Sequence, residues 1–397
     1  MTDIRKAQQS YVSTRGPDWQ GELLARLRDD SRFTQQLRGV ATWGAIPLGR
    51  LVEHSLCSGS APSSLCYFTS SSTGAPKQVA FSSRDWQQIV AHRADCLAEL
   101  GLGKEHLAAV VLPFGPWFSG DNLCASLLHL GAGVLPAGLY GPHLPGVARL
   151  MANVGVNALI TTPSIARNMM RFPSPHPMDK LVLVGEAVSS SIREQLADYF
   201  STAPQCLYAA SEAVLGAEVR GEPGVFHWDP DRLHLEVLTP EGRIAETGIG
   251  ELLVTRRHGN AMPLLRYPLN DLVELAPDIA GGPQFRYLGR SGHGFGLATG
   301  VKVGRAQLDR FLDGITSPIH EAHFTVEHAL EGDRLRIVLG GSAPLPIPND
   351  VRSRFLASSL DVADTHRSGF LTVEVEPRTV PVRAKRYLQI METPWRL

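Results

Sequence analysis

The hydrophobic positions of the chain change their spacing at regular intervals. Short continuous apolar runs predict buried strands at residues 66–70, 106–113, 131–138, 156–162, 180–185 and 205–211. Apolar residues spaced three or four apart predict helices at residues 18–39, 84–101, 120–132, 163–172 and 189–200. Strands that alternate with helices indicate crossover connections, and therefore a mainly parallel sheet.

The pattern changes after residue 220, where polar and apolar residues alternate between Gly-rich turns. The alternating strands, at residues 232–239 and 250–256, indicate a β subdomain. Farther on, the pattern predicts helices at residues 306–315 and 348–360, a hairpin at 320–341 and a strand at 369–377. We therefore predict an α/β protein. A large multi-sheet N-terminal domain, residues 1–290, has mainly parallel strands and a β subdomain, and residues 291–397 form a small, mobile α+β domain.

Composition narrows the class of protein. The formal net charge is -1, which gives no electrostatic reason to expect nucleic acid or a membrane surface as partner. No apolar run approaches the roughly 20 residues that span a bilayer, and residues 1–16 lack the apolar core of a secretory signal. The five cysteines are widely spaced without a Cys-x-x-Cys pair. We expect a reduced, cytoplasmic protein.

A hydroxyl-rich loop with one lysine follows the first predicted strand. It reads Thr-Ser-Ser-Ser-Thr-Gly-Ala-Pro-Lys over residues 69–77. Backbone N–H groups, hydroxyls and an ammonium group are suitable donors for a polyphosphate. The loop is not a Walker A sequence, which requires Gly-x-x-x-x-Gly-Lys-Ser/Thr. On composition alone, a Ser-rich surface linker explains the segment equally well.

The order of residues in this loop resembles the Thr-Ser-Gly-Ser-Thr-Gly-x-Pro-Lys loop of the adenylate-forming superfamily. That superfamily includes acyl-CoA synthetases, peptide-synthetase adenylation domains and luciferases. Ser71 stands where the family usually has glycine. The resemblance implies that ATP is bound here, and it assigns phosphate contacts to Ser70, Ser71, Ser72, Thr73, Gly74 and Lys77.

Two further segments occur in the superfamily's order. Residues 208–212 resemble its Tyr-Gly-x-Thr/Ser-Glu motif, which implies that Glu212 holds Mg²⁺ and that Ser211 approaches the α-phosphate. Residues 266–271 resemble its Arg-Tyr-x-x-Gly/Thr-Asp motif, which implies that Asp271 accepts hydrogen bonds from the ribose hydroxyls. Without the resemblance, a surface glutamate at a helix start and a turn aspartate are the ordinary interpretations.

The end of the predicted large domain carries a third match. Residues 289–291 and 300–303 resemble the Gly-Arg-Ser-x-Asp…Gly-x-Asn-Val segment, which implies that Arg290 reaches the ribose or the α-phosphate. This chain departs from the pattern at the positions that follow Arg290, so the swing of the small domain is expected to differ. The departures are Gly292, His293 and Lys302.

The superfamily's C-terminal catalytic lysine has two candidate counterparts. A direct match puts Arg383 at the lysine position, and Lys385 lies two residues along. If the segment is a strand, both side chains point to the same side, and either cation could stabilise phosphate charge. A solvated basic stretch is the alternative interpretation.

Aromatic residues follow the predicted strand at residues 106–113. Ligands of doubly wound sheets bind at the carboxyl ends of strands, so Phe114, Trp117 and Phe118 could line an aromatic acyl pocket. Filling the core is the equally weighted alternative. Candidate contacts to the adenine or the acyl group at other strand ends, or in the Tyr208 motif, are Gly185, Glu186, Tyr208, Ala209 and Ala210.

The resemblance implies that the chain activates a carboxylic acid with ATP and Mg²⁺, and then passes the acyl group to CoA, a carrier thiol or an amine. Residues 248–255 and 261–268 most resemble the phenylacetate-CoA ligase-like branch, with the ligase-like proteins of phenazine antibiotic biosynthesis as a narrower hypothesis. These suggest an aromatic acid and a partner enzyme. We interpret His227 as structural and predict no zinc, because no cysteine follows Cys206. The alternative is a binding or scaffold protein that keeps the fold. The oligomeric state stays open, with a homodimer as one option.

Overall fold

The computed structural model describes a discontinuous set of residues. These are residues 19–29, 37, 65–69, 77–138, 144–172, 177–188, 190–239, 242–257, 261–276, 282–290, 295–297, 301–329, 332–341, 345–381 and 387–393. They divide into two compact units, between which the chain passes several times. One unit comprises the described residues of Met1–Tyr67, Gln78–Cys96 and Tyr208–Ser291, and the other those of Phe68–Lys77, Leu97–Leu207 and Gly292–Leu397.

A parallel sheet forms one layer of the second unit. Its order is β4-β3-β5-β6-β7-β8, and the neighbouring strands from β4 to β7 pair in parallel. The strands are β3 (Leu107–Val111), β4 (Gly133–Pro136), β5 (Ala158–Thr161), β6 (Lys180–Val184), β7 (Gln205–Ala209) and β8 (Val214–Ala217). The connecting helices are α3 (Phe118–Leu130), α4 (Leu144–Val154), α5 (Pro163–Met169) and α6 (Ser190–Phe200). Residues Ala108–Val111, Ala158–Thr161 and Leu181–Val184 are all buried, as expected for strands covered on both faces.

Two helices and a hairpin precede this sheet. The helices are α1 (Trp19–Asp29) and α2 (Ser83–Glu99), and the hairpin pairs β1 (Leu65–Thr69) with β2 (Lys77–Phe81). Ser82 and Asp85 cap α2 reciprocally: the Ser82 hydroxyl accepts from the Asp85 N–H at 3.1 Å, and Asp85 Oδ2 accepts from the Ser82 N–H at 3.1 Å. Such a capping box satisfies donors that an isolated helix start leaves unpaired. Gly101, at φ +80°, lies just beyond the end of α2.

An antiparallel sheet follows in the first unit. Its order is β11-β10-β12-β13-β14-β9. The strands are β9 (Val225–His227), β10 (Leu233–Leu238), β11 (Ile244–Ala245), β12 (Gly248–Arg256), β13 (Tyr267–Ala276) and β14 (Gln284–Arg290). Along β13, buried and less buried residues alternate, as one covered sheet face requires. The predicted β subdomain is therefore present.

The C-terminal region contains a further sheet, which has both parallel and antiparallel pairs and a core of its own. Strands β17 (Ile319–Ala329) and β18 (Gly332–Gly341) form the predicted antiparallel hairpin, flanked by β19 (Leu371–Thr379) and β20 (Tyr387–Thr393) in the order β19-β18-β17-β20. A short pair, β15 (Phe295–Gly296) and β16 (Lys302–Val303), precedes α7 (Arg305–Asp313). Helices α8 (Pro348–Leu356) and α9 (Leu360–Arg367) complete the α+β arrangement. Phe324, Ile337 and Phe355 are fully buried in its core.

The structure confirms the predicted fold class and adds elements that the pattern did not reveal. Helices α4 and α9 and the long strands β13 and β14 were not predicted, nor were the shorter strands β2, β8, β9, β11, β15, β16 and β20. The first predicted helix ends at Asp29, and of residues 30–39 the structure describes only Leu37. None of the described helices is long and apolar enough to cross a membrane. The domain boundary after residue 290 stays a prediction.

Candidate nucleotide site

Two tyrosines join the segments that the sequence matched to nucleotide motifs. The Tyr208 hydroxyl donates to Asp271 Oδ2, and the Tyr267 hydroxyl donates to Glu212 Oε1 at 2.9 Å. Each segment thus provides a phenol to the carboxylate of the other. Both carboxylates are largely buried, with Asp271 at 4% and Glu212 at 8% exposure. The reciprocal bonds bring together two predicted ligand groups that lie far apart in the sequence.

Glu212 lies at the tip of a tight turn. Ala210 and Ala213 exchange both backbone hydrogen bonds, at 2.9 and 3.2 Å, so Ser211 and Glu212 form a two-residue connection before β8. This placement differs from the helix start that the ordinary interpretation assumed. A side chain at the tip of a short, hydrogen-bonded turn has a well-defined direction, which suits a group that binds a ligand.

Asp271 lies in an irregular part of β13. The pairing of β12 with β13 shifts register between Glu251 and Leu253, and the pairing of β13 with β14 shifts between Leu272 and Val273. Bulges of this kind bend a strand locally and redirect its side chains. Across the sheet, Asp271 is in register with Arg290, the residue that the sequence assigned to the ribose or the α-phosphate.

A buried ion pair anchors the start of β13. The Arg266 guanidinium binds Glu236 with two hydrogen bonds, from Nε to Oε2 at 2.9 Å and from one terminal nitrogen to Oε1 at 2.8 Å. Burial would raise the pKa of Glu236, but the neighbouring His234 and the hydrogen-bonded Arg266 outweigh it and lower the pKa to about 2. The Arg266 backbone N–H also donates to the Thr255 hydroxyl at 2.9 Å. The segment that carries Tyr267 and Asp271 is therefore tied to β10 and β12.

Aromatic rings surround Tyr208. Its ring centroid lies 5.2 Å from that of Phe285, 5.3 Å from Phe226 and 5.8 Å from Tyr287. Aromatic pairs at these distances stabilise one another beyond their buried area. The cluster fixes the ring whose hydroxyl reaches Asp271.

Glu186 follows β6, at the carboxyl edge of the parallel sheet in the other unit. Its Oε2 accepts hydrogen bonds from the Ser164 hydroxyl at 2.6 Å and from the Ser164 backbone N–H at 3.1 Å. Burial raises the pKa of Glu186 to about 8, although the hydrogen bonds from Ser164 act against this rise. Its Oε1 has no partner among the described residues. Gly185, at φ +84°, provides the left-handed bend between β6 and Glu186.

The aromatic loop after β3 lies beside the strand that leads into the hydroxyl-rich loop. The Phe68 N–H of β1 donates to the Pro116 carbonyl at 2.8 Å, and Phe68 forms an isolated parallel bridge with Trp117. Phe118 is 2% exposed, which favours the core alternative for this ring. Phe114 and Trp117 remain partly exposed and can offer surface to an acyl group.

Several predicted residues lie outside the described part of the chain. These are Ser70, Ser71, Ser72, Thr73 and Gly74 of the hydroxyl-rich loop, Gly292 and His293, and the two C-terminal cations Arg383 and Lys385. Lys77 begins β2, Arg290 ends β14 and Lys302 begins β16. His227 lies with its Nε2 2.8 Å from the Gln284 amide nitrogen, and burial lowers its pKa.

Single motifs did not reveal the groups that hold the predicted ligand-binding side chains in place. Tyr267 was part of a matched segment but had no role, and Glu236, Thr255 and Ser164 were not considered. Buried polar residues on apolar strands are the available signal, since such groups almost always have partners. Glu236 in the strand Leu-His-Leu-Glu-Val-Leu fits that description.

Solved acyl-CoA ligases and an amide synthetase share this fold at low sequence identity. A 2-hydroxyisobutyryl-CoA ligase, in complex with 2-HIB-AMP and CoA in the thioesterification state, superposes with a TM-score of 0.72 and 15% identity, over 95% of this chain and 91% of that one. A malonyl-CoA ligase superposes with a TM-score of 0.57 and 20% identity, over 81% of this chain and 72% of that one. The amide bond synthetase McbA from Marinactinospora thermotolerans superposes with a TM-score of 0.57 and 17% identity, over 80% of this chain and 66% of that one. No curated protein matches the chain. The fold is thus that of adenylate-forming enzymes.

Residues 14–255 match the AMP-binding enzyme family. This match covers more than half of the sequence, and the chain therefore belongs to that family. Membership confirms the superfamily that residues 69–77, 208–212 and 266–271 predicted, and makes the protein an ATP-dependent, adenylate-forming ligase. The phenylacetate-CoA ligase-like branch stays a prediction.

Proposed function

We propose that the chain converts an aromatic carboxylic acid and ATP into an acyl-adenylate with release of pyrophosphate, and then transfers the acyl group to CoA, a carrier thiol or an amine. The observation that supports this most directly is the reciprocal pairing of Tyr208 with Asp271 and of Tyr267 with Glu212. It assembles a pair of buried carboxylates from two motifs typical of adenylate formation.

The reaction requires positioning and charge compensation rather than covalent help from the protein. The acid's carboxylate oxygen forms a bond to the α-phosphorus of ATP while the bond from that phosphorus to the bridging oxygen of pyrophosphate breaks. Asp271 holds the ribose hydroxyls, and Arg290 reaches the ribose or the α-phosphate. The hydroxyl-rich loop and Lys77 hold the leaving phosphates. Preorganised groups of this kind lower the barrier without any change of their own.

Glu212 is suited to Mg²⁺. Its Oε1 accepts a hydrogen bond from the Tyr267 hydroxyl, and Mg²⁺ in nucleotide sites needs only one or two carboxylates beside phosphate oxygens and waters. When bound, Mg²⁺ supplies compensation for phosphate charge. Glu212 would hold it, and Ser211 beside it would approach the α-phosphate.

The proposal that the acid is aromatic is based on the aromatic loop that follows β3. Phe114 and Trp117 are partly exposed at the end of a parallel strand, beside the strand that enters the phosphate loop. Planar aromatic surface is well matched to an aromatic acyl group. Contacts to the acyl group or the adenine are assigned from the sequence to Ala209, Ala210, Gly185 and Glu186. The phenylacetate-CoA ligase-like resemblance supports the same class and leaves the acceptor open.

The boundary after residue 290 would separate the large domain from a small domain that brings a cation to the reacting phosphate. Arg383 and Lys385 are the candidates, and the ammonium group of Lys385 is the closer chemical match to the superfamily's lysine.

The test compares two variants with wild type in acid-dependent formation of acyl-AMP. Asp271→Ala is expected to weaken AMP binding in calorimetry by about tenfold or more, since hydrogen bonds to a charged group are worth about 1.5–3 kcal/mol each. Glu212→Gln is expected to retain the fold and AMP binding but to lose most Mg²⁺-dependent adenylation. Unchanged AMP affinity in the first variant and unchanged adenylation in the second would remove both residues from the site.

A scaffold protein is the competing hypothesis, because Ser71, Gly292 and Arg383 depart from the superfamily pattern. Such a protein would bind nucleotide and yet produce no acyl-AMP with any acid offered.

A further inference from the structure

Two residues with left-handed backbone directly precede residues of the site: Arg266 precedes Tyr267, and Asn270 precedes Asp271. Arg266 has φ +48° and Asn270 has φ +58°. Residues other than glycine rarely adopt this conformation, because the Cβ atom then crowds the backbone, and asparagine tolerates it better than most. Arg266 is held there by Glu236 and Thr255. Asn270 directly precedes Asp271, inside the bulge opposite Leu252.

We propose that Asn270 is a positioning residue, whose left-handed backbone directs the Asp271 carboxylate toward the nucleotide. This inference rests on the proposed ribose contact of Asp271. In a regular strand, successive side chains alternate between the two faces, so the extra residues of a bulge decide on which face the following side chain lies. Asn270 supplies the left-handed turn within that bulge, and Asp271 then lies buried against the Tyr208 hydroxyl.

In this proposal the left-handed backbone conformation of Asn270, rather than its amide side chain, positions Asp271. Glycine adopts positive φ without steric cost, whereas alanine and especially valine resist it. An Asn270→Gly variant should therefore retain the position of Asp271. Asn270→Ala and Asn270→Val should let the bulge relax and move Asp271 away, and nucleotide binding must then restore the strained backbone.

The experiment measures AMP affinity by calorimetry, thermal stability, and the KM for ATP in pyrophosphate exchange. We expect Asn270→Val to weaken AMP binding about tenfold, equivalent to about 1.4 kcal/mol, with Asn270→Ala intermediate and Asn270→Gly within twofold of wild type. The KM for ATP should rise with little change in kcat, because the ribose contact is the same in ground and transition states.

Ser201 offers a matched control. It has φ +57° just after α6, in the other unit, and it is exposed. Ser201→Ala imposes a comparable backbone cost away from the motifs, so it should lower thermal stability and leave AMP affinity unchanged.

The Asp271→Asn variant distinguishes the ribose contact of Asp271 from the positioning role of Asn270. If it weakens AMP binding while Asn270→Val does not, the positioning role is wrong and the ribose contact stands. Unchanged affinity in Asp271→Asn overturns the ribose contact and the positioning role together. If Asn270→Gly binds AMP as weakly as Asn270→Ala, the side chain acts directly and the backbone inference fails.

Discussion

Replacing Glu236 with glutamine probes the ion pair that anchors β13. Both partners are 4% exposed, and two hydrogen bonds of 2.8 and 2.9 Å join them. Removing one partner of such a pair leaves a buried charge without compensation and costs about 3–5 kcal/mol. The lowering of the pKa of Glu236 from 4.5 to about 2 corresponds to a stabilisation of its charged form of the same order, about 3 kcal/mol. Glutamine keeps one acceptor oxygen, so we expect the free energy of unfolding to fall by about 3 kcal/mol, the lower end of that range.

Urea denaturation of wild type and Glu236→Gln, followed by tryptophan fluorescence, measures this loss. Because the folded-state pKa is lowered, the stabilisation is complete above the unfolded pKa of 4.5 and is lost as the pH falls through about 2. The difference between the two proteins should therefore be full at pH 7 and less than half of that at pH 3. Glu376→Gln is the control, since Glu376 pairs with Arg336 on an exposed face and such pairs contribute little. A loss below about 1 kcal/mol at pH 7, or a loss that does not change with pH, would refute the reasoning.

Three other predictions concern separate parts of the chain. Glu186→Gln should raise thermal stability at pH 9 and leave it unchanged at pH 4. A carboxyl whose folded-state pKa is about 8 destabilises the fold increasingly as the pH rises from 4.5 to 8. Equal melting temperatures of the two proteins at pH 9 would contradict this prediction. Gly216→Ala should lower the free energy of unfolding in urea by about 3 kcal/mol, because a Cβ there would lie 1.5 Å from the His227 carbonyl oxygen of β9. A loss below about 1 kcal/mol would show that β8 and β9 separate easily. In single-turnover acyl-AMP formation, either Arg383→Ala or Lys385→Ala should slow the rate strongly while ATP affinity is kept; a double variant as fast as wild type would exclude a role for both.

The sequence predicted the layers of the fold better than the geometry of the site. Continuous apolar runs such as Ala108–Val111 identified the parallel strands, because burial on both faces leaves few alternatives. Strand β13 escaped detection because Pro268 and Asn270, both uncommon in strands, lie in its irregular first half. Helix α9 is short and rich in polar residues, so its apolar spacing is weak.

Motif order identified Glu212 and Asp271 as candidates, but not how they are held. Tyr208 and Asp271 are 63 residues apart, and Tyr267 and Glu212 are 55 apart. Hydrogen bonds over such separations depend on tertiary packing, which a local pattern does not encode. The left-handed backbone at Asn270 was equally hidden, because asparagine is compatible with several conformations.

Pyrophosphate exchange tests the central claim most directly. The wild-type protein is incubated with ATP, Mg²⁺ and radiolabelled pyrophosphate, with a panel of aromatic, aliphatic and amino acids offered one at a time. We predict label in ATP that depends on the acid and is strongest with an aromatic carboxylic acid, and we expect the corresponding acyl-AMP in mass spectra. AMP binding in calorimetry together with no acid-dependent exchange across the panel would contradict acid activation and favour the scaffold hypothesis.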